Sequence, residues 1–181
     1  MAKRIFDILF SLLGLLFVSC LLFVFWIMAS IDTRSNGLFV QKRIGQWGKV
    51  FGIYKLKTMH PATGDISRLG SFLRQSKIDE LPQLWNILKG DMSFVGFRPD
   101  VPGYYDLLEG EARKILELQP GITSEASLKY RNEAKLLQEQ DDPLHYNDTV
   151  IFPDKVRMNL AYYYRRSFWG DFRILWKTVV G

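Results

Sequence analysis

The sequence predicts an α+β fold with an N-terminal membrane helix–break–helix, a small β-hairpin and a mostly helical remainder. Three observations predict it. The segment from Ile5 to Ile31 is almost entirely apolar, Gly37–Met59 holds two runs of β-forming residues around a glycine turn, and helical patterns dominate after Ser67. At 181 residues the chain can bury one substantial core. We expect an anchor over residues 1–35 and a globular domain over residues 36–181.

The apolar segment is long enough to cross a membrane. Ile8–Ile31 carries no charge, and as a helix it would extend about 36 Å, against roughly 30 Å for the hydrocarbon core of a bilayer. Lys3 and Arg4 precede the segment and Arg34 follows it, so the positive-inside rule keeps both ends on the cytoplasmic side. A re-entrant helix with a break at Ser19-Cys20 would satisfy this, and a simple span is the alternative.

The globular part begins with the hairpin, whose turn is expected at Gly45–Gly48. Lys55 and Lys57 share one face of its second strand, which is either a solvated edge or a wall facing an anion. Further helices are predicted from the apolar pattern at Ser67–Arg74, Leu81–Leu88, Pro102–Leu118 and Asn132–Gln140. The last segment, Lys155–Val180, combines aromatic and basic residues, as expected of interfacial amphipathic helices or of a packed helix pair.

Composition limits the chemistry. The net charge of +5 and the pI near 9.3 favour an anionic partner, either nucleic acid, lipid headgroups or a phosphorylated substrate. The single cysteine, Cys20, excludes an intramolecular disulfide and a cysteine zinc cluster. The two histidines, His60 and His145, are far apart in predicted loops, which argues against a histidine metal site or triad.

Two adjacent carboxylates, Asp79 and Glu80, precede Leu81-Pro82 and an apolar run. Either could cap a helix, because proline favours the first turn and acidic side chains satisfy free amides there. The basic residues favour a second interpretation, in which a carboxylate holds Mg²⁺ and nearby cations bind phosphate. Arg74 lies five residues before Asp79, and Lys55 and Lys57 could face the same cavity. Aspartate is also a competent nucleophile toward phosphorus. Beside a membrane segment, such a site would suit phosphoryl transfer to or from a lipid phosphate.

The sequence resembles the bacterial sugar transferases, which are monotopic phosphoglycosyl transferases. The matching features follow one another along the chain: Lys3-Arg4-x-x-Asp7, Phe39-x-Gln41-x-Arg43-x-Gly45, Tyr54-Lys-Leu-Lys-Thr-Met59, Arg68-Leu-Gly70, Asp79-Glu-Leu-Pro-Gln83, Leu88-Lys-Gly-Asp-Met-Ser93, Gly96-x-Arg-Pro99 and Pro120-Gly-Ile-Thr123. Three features depart from the family: Ser19-Cys20 stands where Ser-Pro is common, Gly96-Phe-Arg-Pro99 replaces Gly-Pro-Arg-Pro, and the residues after Thr123 differ from those of many relatives.

The resemblance implies a reaction in which a sugar-1-phosphate passes from a UDP-sugar to a polyprenol (undecaprenyl) phosphate, with release of UMP, to start glycoconjugate or polysaccharide assembly. It implies that Asp79 is the nucleophile and a Mg²⁺ ligand, with Glu80 as a catalytic partner that acts as base, metal ligand or orienter. By the same resemblance the substrate-binding residues are Lys55, Arg74, Arg98, Pro99 and Arg131. It also implies a re-entrant anchor in the bacterial inner membrane, with the catalytic domain, residues 36–181, on the cytoplasmic face.

Two other classes of function compete with this one. A non-catalytic membrane-anchored scaffold could use the same basic face to bind anionic membrane lipids. A nucleic-acid binder is disfavoured, because the aromatic residues cluster with apolar ones and no nucleic-acid motif is present.

Overall fold

The computed structural model describes residues 2–180 and divides the chain into two compact units, Met1–Arg43 with Val50–Met92 and Ile44–Lys49 with Ser93–Gly181. Together they form a mixed, mainly helical fold. In chain order the elements are α1 (Ala2–Asp32), β1 (Leu38–Ile44), β2 (Val50–Leu56), α2 (Arg68–Gln75), α3 (Gln83–Lys89), β3 (Ser93–Val95), β4 (Gly121–Thr123), α4 (Glu125–Lys129), α5 (Glu133–Gln138), α6 (Pro143–Tyr146), α7 (Phe152–Arg165) and α8 (Phe168–Val180).

Helix α1 runs without interruption through Ser19-Cys20, so its backbone does not contain the predicted break. Neither residue removes a backbone donor as proline would, and this explains the continuity. The Ser19 hydroxyl donates to the carbonyl of Leu16 at 3.0 Å, a type of bond that bends helices without ending them. The re-entrant course therefore stays a prediction.

The surface of α1 is largely apolar and exposed. Leu16, Phe17 and Phe23 each expose more than half of their surface, and α1 is long and apolar enough to cross a membrane. Its buried positions, Asp7 and Ser11 among them, are few and small or polar. A helix with this distribution needs an apolar environment around most of its circumference.

The predicted hairpin is confirmed. Strands β1 and β2 pair in a two-stranded sheet, and a 3₁₀ turn over Gln46–Gly48 lies at the turn. Trp47 and Gly48 both have positive φ, and the amide of Gly45 donates to the carbonyl of Lys49 at 2.8 Å to close the turn. Leu56 ends β2, so Lys55 lies in the strand and Lys57 just beyond it.

The first unit continues with two short helices that pack on the hairpin and on α1. Helix α2 agrees with its prediction to within one residue and is capped by Ser67, whose hydroxyl accepts from the amide of Gly70 at 2.9 Å. Helix α3 begins at Gln83 rather than at Leu81, because a separate 3₁₀ turn over Ile78–Glu80 precedes it. The core of this unit consists of buried apolar side chains: Ala29, Ile53, Leu56, Leu73, Leu84, Ile87 and Met92.

The second unit contains a parallel pair of strands that the sequence patterns did not predict. Ser93 pairs with Gly121 and Val95 with Thr123 in β3 and β4. A Cβ atom at Gly96 or Gly121 would overlap the backbone of the other chain segment, so both positions require glycine. The pair packs against α8.

The helix predicted over Pro102–Leu118 is wrong. The structure has two 3₁₀ segments there, Tyr105–Leu107 and Gly110–Glu117, because Gly103 and Gly110 both adopt positive φ and interrupt a continuous helix. The predicted helix over Asn132–Gln140 is confirmed as α5. The C-terminal segment forms two helices, α7 and α8, and their interfacial location stays a prediction. The core of the second unit consists of buried side chains: Ile44, Val95, Phe97, Tyr105, Ile115, Leu116, Leu118, Tyr162 and Ile174.

Candidate active site

The carboxylate pair lies in the 3₁₀ turn over Ile78–Glu80, between α2 and α3. The chain enters this turn through Lys77, whose φ of 59° is in the left-handed region. A residue with a long side chain rarely adopts that conformation, and such residues concentrate at functional sites where the surrounding structure holds them in place. The left-handed conformation of Lys77 thus leads the chain directly into the turn that carries Asp79.

Asp79 does not cap a helix, so the capping interpretation is wrong for this residue. The N-cap of α3 is Pro82, whose ring offers no hydrogen-bond acceptor. Asp79 is only 8% exposed, and its Oδ1 atom has no hydrogen-bond partner among residues 2–180. A buried carboxylate oxygen without a partner is costly and rare in folded proteins, which points to a ligand at this oxygen.

The surroundings of Asp79 have opposite effects on the pKa of its carboxyl group. Burial raises the pKa of Asp79 above its ordinary value, and repulsion from Glu80 raises it further. The cations of Lys55, Lys77 and Arg74 act in the other direction and lower it. A carboxylate that is poorly solvated, yet surrounded by three cations, suits attack on an anionic phosphorus centre.

Glu80 forms an ion pair with Lys55. The Nζ atom of Lys55 donates to Oε1 of Glu80 at 3.0 Å, and both side chains are mostly buried, with 19% and 12% exposed. Lys55 is therefore not at a solvated edge. Lys57, predicted to share its face, instead donates to the hydroxyl of Ser35 at 2.9 Å. Only Lys55 of the two lysines belongs to the carboxylate site.

Arg74 is fixed by a buried threonine. Its Nε donates to Oγ1 of Thr58 at 2.8 Å, and Thr58 itself is buried just after β2. Gly70 makes this arrangement possible, because a Cβ at that position would overlap the carbonyl oxygen of Thr58. The Arg68-Leu-Gly70 motif thus brings α2 close enough for Arg74 to act on the charge of Asp79.

Two polar residues of α3 were assigned no role from the sequence. Gln83 is 1% exposed, and its Nε2 has no hydrogen-bond partner within the described chain. Asn86 is fully buried and joins α3 to β2, since it donates to the carbonyl of Gly52 at 2.8 Å and accepts from the amide of Tyr54 at 3.1 Å. The polar Asn86, which stands between the apolar pairs Leu84-Trp85 and Ile87-Leu88, was the sequence feature that could have indicated this role.

The seven predicted site residues divide between the two units. Lys55, Arg74, Asp79 and Glu80 come together in the first unit, as described above. The other three belong to the second unit: Arg98, Pro99 and Arg131. Arg98 is exposed and donates to the carbonyl of Ile122 at 3.3 Å, whereas Pro99 is buried and Arg131 is exposed.

The carboxylates fit a magnesium ion of the kind that is shared with a substrate. Among residues 2–180 there is no group of three histidine, cysteine or acidic side chains placed to hold a metal. Mg²⁺ does not need one, since it keeps several waters and is often bound by one or two carboxylates and substrate phosphates. The unpartnered Oδ1 of Asp79 is a suitable ligand atom, and Glu80 is already bonded to Lys55.

Comparison with known proteins identifies the class. The family model described as bacterial sugar transferase matches residues 1–181, and the chain belongs to this family. A Bacillus subtilis (strain 168) protein, provisionally named undecaprenyl-phosphate N-acetylgalactosaminyl 1-phosphate transferase, is 35% identical over 74% of this chain and 80% of its own length.

Two further relatives align over 98% of this chain, and both are named UDP-glucose:undecaprenyl-phosphate glucose-1-phosphate transferase. The Caulobacter vibrioides (strain ATCC 19089 / CIP 103742 / CB 15) protein is 30% identical, with 68% of its length covered. The Klebsiella pneumoniae protein is 31% identical, with 39% of its length covered. The chain thus spans about two fifths of the longer relatives.

Proposed function

We propose that the protein is a membrane phosphoglycosyl transferase that moves a sugar-1-phosphate from a UDP-sugar to undecaprenyl phosphate and releases UMP. The observation that carries this proposal is the buried Oδ1 of Asp79, which lacks a hydrogen-bond partner in the described chain while three cations act on the carboxylate. The names of the relatives support the lipid acceptor, and two of them name a UDP-sugar donor. The product would start glycoconjugate assembly.

The proposed reaction has two displacements at one phosphorus atom. In the first, a carboxylate oxygen of Asp79 bonds to the β-phosphorus of the UDP-sugar, the bond from that phosphorus to the bridging oxygen breaks, and UMP leaves with the electron pair. The enzyme then holds the sugar phosphate as an aspartyl phosphate. In the second, a phosphate oxygen of undecaprenyl phosphate attacks the same phosphorus, and the Asp79 carboxylate is restored.

The residues around Asp79 have separate tasks in this scheme. Burial makes its carboxylate a stronger nucleophile, as the raised pKa indicates. Lys55 holds Glu80 at 3.0 Å, and Arg74 and Lys77 supply positive charge for the phosphates. Mg²⁺, with Asp79 as a ligand, would neutralise charge on the diphosphate. Arg98, Pro99 and Arg131 of the second unit are proposed to contact the substrate.

The proposed membrane topology is a re-entrant anchor, with the catalytic residues on the cytoplasmic face of the inner membrane. Both ends of α1 contact the same compact unit, which supports this. Near its start, Arg4 donates to the carbonyls of Ile87 and Leu88 at 2.6 and 2.8 Å. At its end, Asp32 accepts from the hydroxyl of Ser67 at 2.6 Å. Both ends of α1 thus bond to elements of the unit that carries Asp79, as a topology with both ends on the cytoplasmic face requires.

The test is a UMP-release assay with a panel of UDP-sugars, undecaprenyl phosphate and Mg²⁺. We expect release from the wild-type protein with at least one UDP-sugar, and loss of at least 10³-fold in Asp79→Asn, because the amide is not a nucleophile. The matched control is Asp65→Asn, an exposed loop carboxylate in the same unit. The proposal would be refuted if Asp79→Asn still released UMP, or if the wild type released no UMP from any UDP-sugar. Either result would favour the non-catalytic membrane-anchored scaffold.

A further inference from the structure

A cationic cavity in the second unit is independent of the Asp79 site. It has a volume of about 370 Å³ and is lined by residues of α4, the end of α7, the connection to α8 and α8 itself. Four of its lining side chains are basic (Arg165, Arg166, Arg173 and Lys177), and one, Glu125, is acidic. Small-molecule sites in proteins occupy roughly 300–1,000 Å³, so the cavity can take a small anionic group.

The basic side chains have little internal compensation. Arg173 and Lys177 form no ion pair or hydrogen bond with other residues in the part of the chain that the structure describes. The guanidinium of Arg166 gives one hydrogen bond, to the carbonyl of Tyr163 at 3.0 Å, and lies 4.5 Å from the centre of that ring. Since a guanidinium carries five N–H donors, most remain available.

Among the lining residues Glu125 is the acidic one, against four basic side chains, and two other acidic residues of the second unit are paired elsewhere. Asp154 forms ion pairs with Lys129 and Arg157, and Lys155 donates to both oxygens of Glu133 at 2.7 and 2.8 Å. The cavity therefore keeps an excess of positive charge, which a bound anion would neutralise.

The helix dipole explains only part of this cluster. Arg165 and Arg166 lie at the C-terminal end of α7, where cations are favoured without any ligand. Arg173 does not have this explanation, because it lies in the middle of α8. Its side chain is exposed and adds a further cation to the lining that an anion from outside can reach.

The surface next to the cavity identifies the class of anion. Trp169, Phe172 and Trp176 follow helical spacing along α8, and their exposed fractions are 77%, 51% and 62%. Exposed tryptophans with neighbouring Lys and Arg are typical of a helix lying at the level of lipid headgroups. A phosphate held there would be that of a phospholipid.

We propose that this cavity binds the phosphate of an anionic phospholipid headgroup, with Arg173 and Lys177 as its principal donors. Arg165 and Arg166 complete the positive wall, and the apolar part of the lining, Leu128 and Ile174, faces the less polar part of the headgroup. The aromatic side of α8 then lies among the headgroups and the upper acyl chains.

The experiment measures lipid retention by the full chain in a non-ionic detergent with native mass spectrometry. The protein is titrated separately with phosphatidylglycerol, phosphatidylcholine, UDP and inorganic phosphate. We expect the wild type to bind phosphatidylglycerol tightly, and Arg173→Gln/Lys177→Gln to bind it about tenfold more weakly or worse. The control Lys49→Gln/Lys135→Gln removes two exposed lysines of the same unit outside the cavity, and should change the affinity less than twofold.

A charge-preserving variant, Arg173→Lys/Lys177→Arg, should still bind phosphatidylglycerol. Its binding would show that the glutamine variant loses affinity because the positive charge is gone and not because the protein misfolds. The proposal is overturned if the glutamine variant keeps the wild-type affinity, or if phosphatidylcholine is bound as tightly as phosphatidylglycerol. It is also overturned if the variant loses UDP or inorganic phosphate and keeps the lipid, because the cavity would then serve a soluble phosphate. UMP release reports on Asp79 separately.

Discussion

Replacing Asp79, the proposed nucleophile, should make the protein more stable. Asp79 is buried, its Oδ1 lacks a hydrogen bond among the described residues, and both burial and Glu80 raise its pKa. Above that pKa the folded protein bears the cost of an unfavourable charge, even after Lys55, Lys77 and Arg74 have offset part of it. Asp79→Asn removes the charge and keeps the size of the side chain.

The expected magnitude follows from the pKa. Each unit of increase corresponds to about 1.4 kcal/mol, and about 1 kcal/mol shifts the Tm of a chain of this size by roughly 2–4 °C. We therefore expect Asp79→Asn to melt roughly 3–6 °C higher at pH 7.5 for each unit by which the pKa is raised. Tryptophan fluorescence during heating in detergent measures it.

The pH dependence of the Tm difference between Asp79→Asn and wild type tests the direction of the expected effect a second time. Below the unfolded value of 3.8 the carboxyl is protonated in both states, so the charge costs nothing. As the pH rises from 3.8 to the folded pKa the wild type loses stability, and above the folded pKa the loss is complete. The difference between variant and wild type should therefore shrink as the pH falls toward 4. The control is Asp65→Asn, with an unchanged Tm. A Tm of Asp79→Asn below wild type at pH 7.5, or a difference that grows in acid, would refute this reasoning.

Three further substitutions test contacts in the unit that carries Asp79. For each, the Tm of the variant is compared with that of the wild type. Ser67→Ala should cost about 1–2 kcal/mol, because the cap of α2 and the bond to Asp32 are both lost. Gly70→Ala should destabilise by about 1–3 kcal/mol despite the better helix propensity of alanine, since the new Cβ overlaps Thr58. Asn86→Ala should cost about 2–4 kcal/mol, because it leaves the buried bonds to Gly52 and Tyr54 unmade. A wild-type Tm in any of them would contradict the contact concerned.

The sequence predicted the elements that have strong local patterns. The hairpin turn and α2 could be placed because glycine, serine and the apolar spacing determine them locally. The region from Pro102 to Leu118 had helical composition, but Gly103 and Gly110 adopt positive φ in the structure and divide it. The β3–β4 pair is parallel and joins segments far apart in sequence, so no local pattern marks it.

The candidate site shows the same limit. The sequence order Asp79-Glu80-Leu81-Pro82 favoured a helix cap, because charge and proline position are local properties. Burial is not local: it arises when α2, α3 and β2 pack together, and it leaves Oδ1 of Asp79 without a hydrogen bond among the described residues. The Lys55–Glu80 bond likewise depends on tertiary packing, since 25 residues separate its partners.

The contacts of α1 limit how this protein can be shortened. Arg4 bonds to the last carbonyls of α3, and Gly14 lies against the side chain of Leu84. A water-soluble fragment that begins at residue 36 would expose the apolar side of α3 and leave its final carbonyls without these donors. Helix α1 is thus part of the packing of the unit that carries Asp79, in addition to its proposed role as the membrane anchor. Purification in detergent or lipid preserves the contacts between α1 and α3, and deletion of α1 removes them.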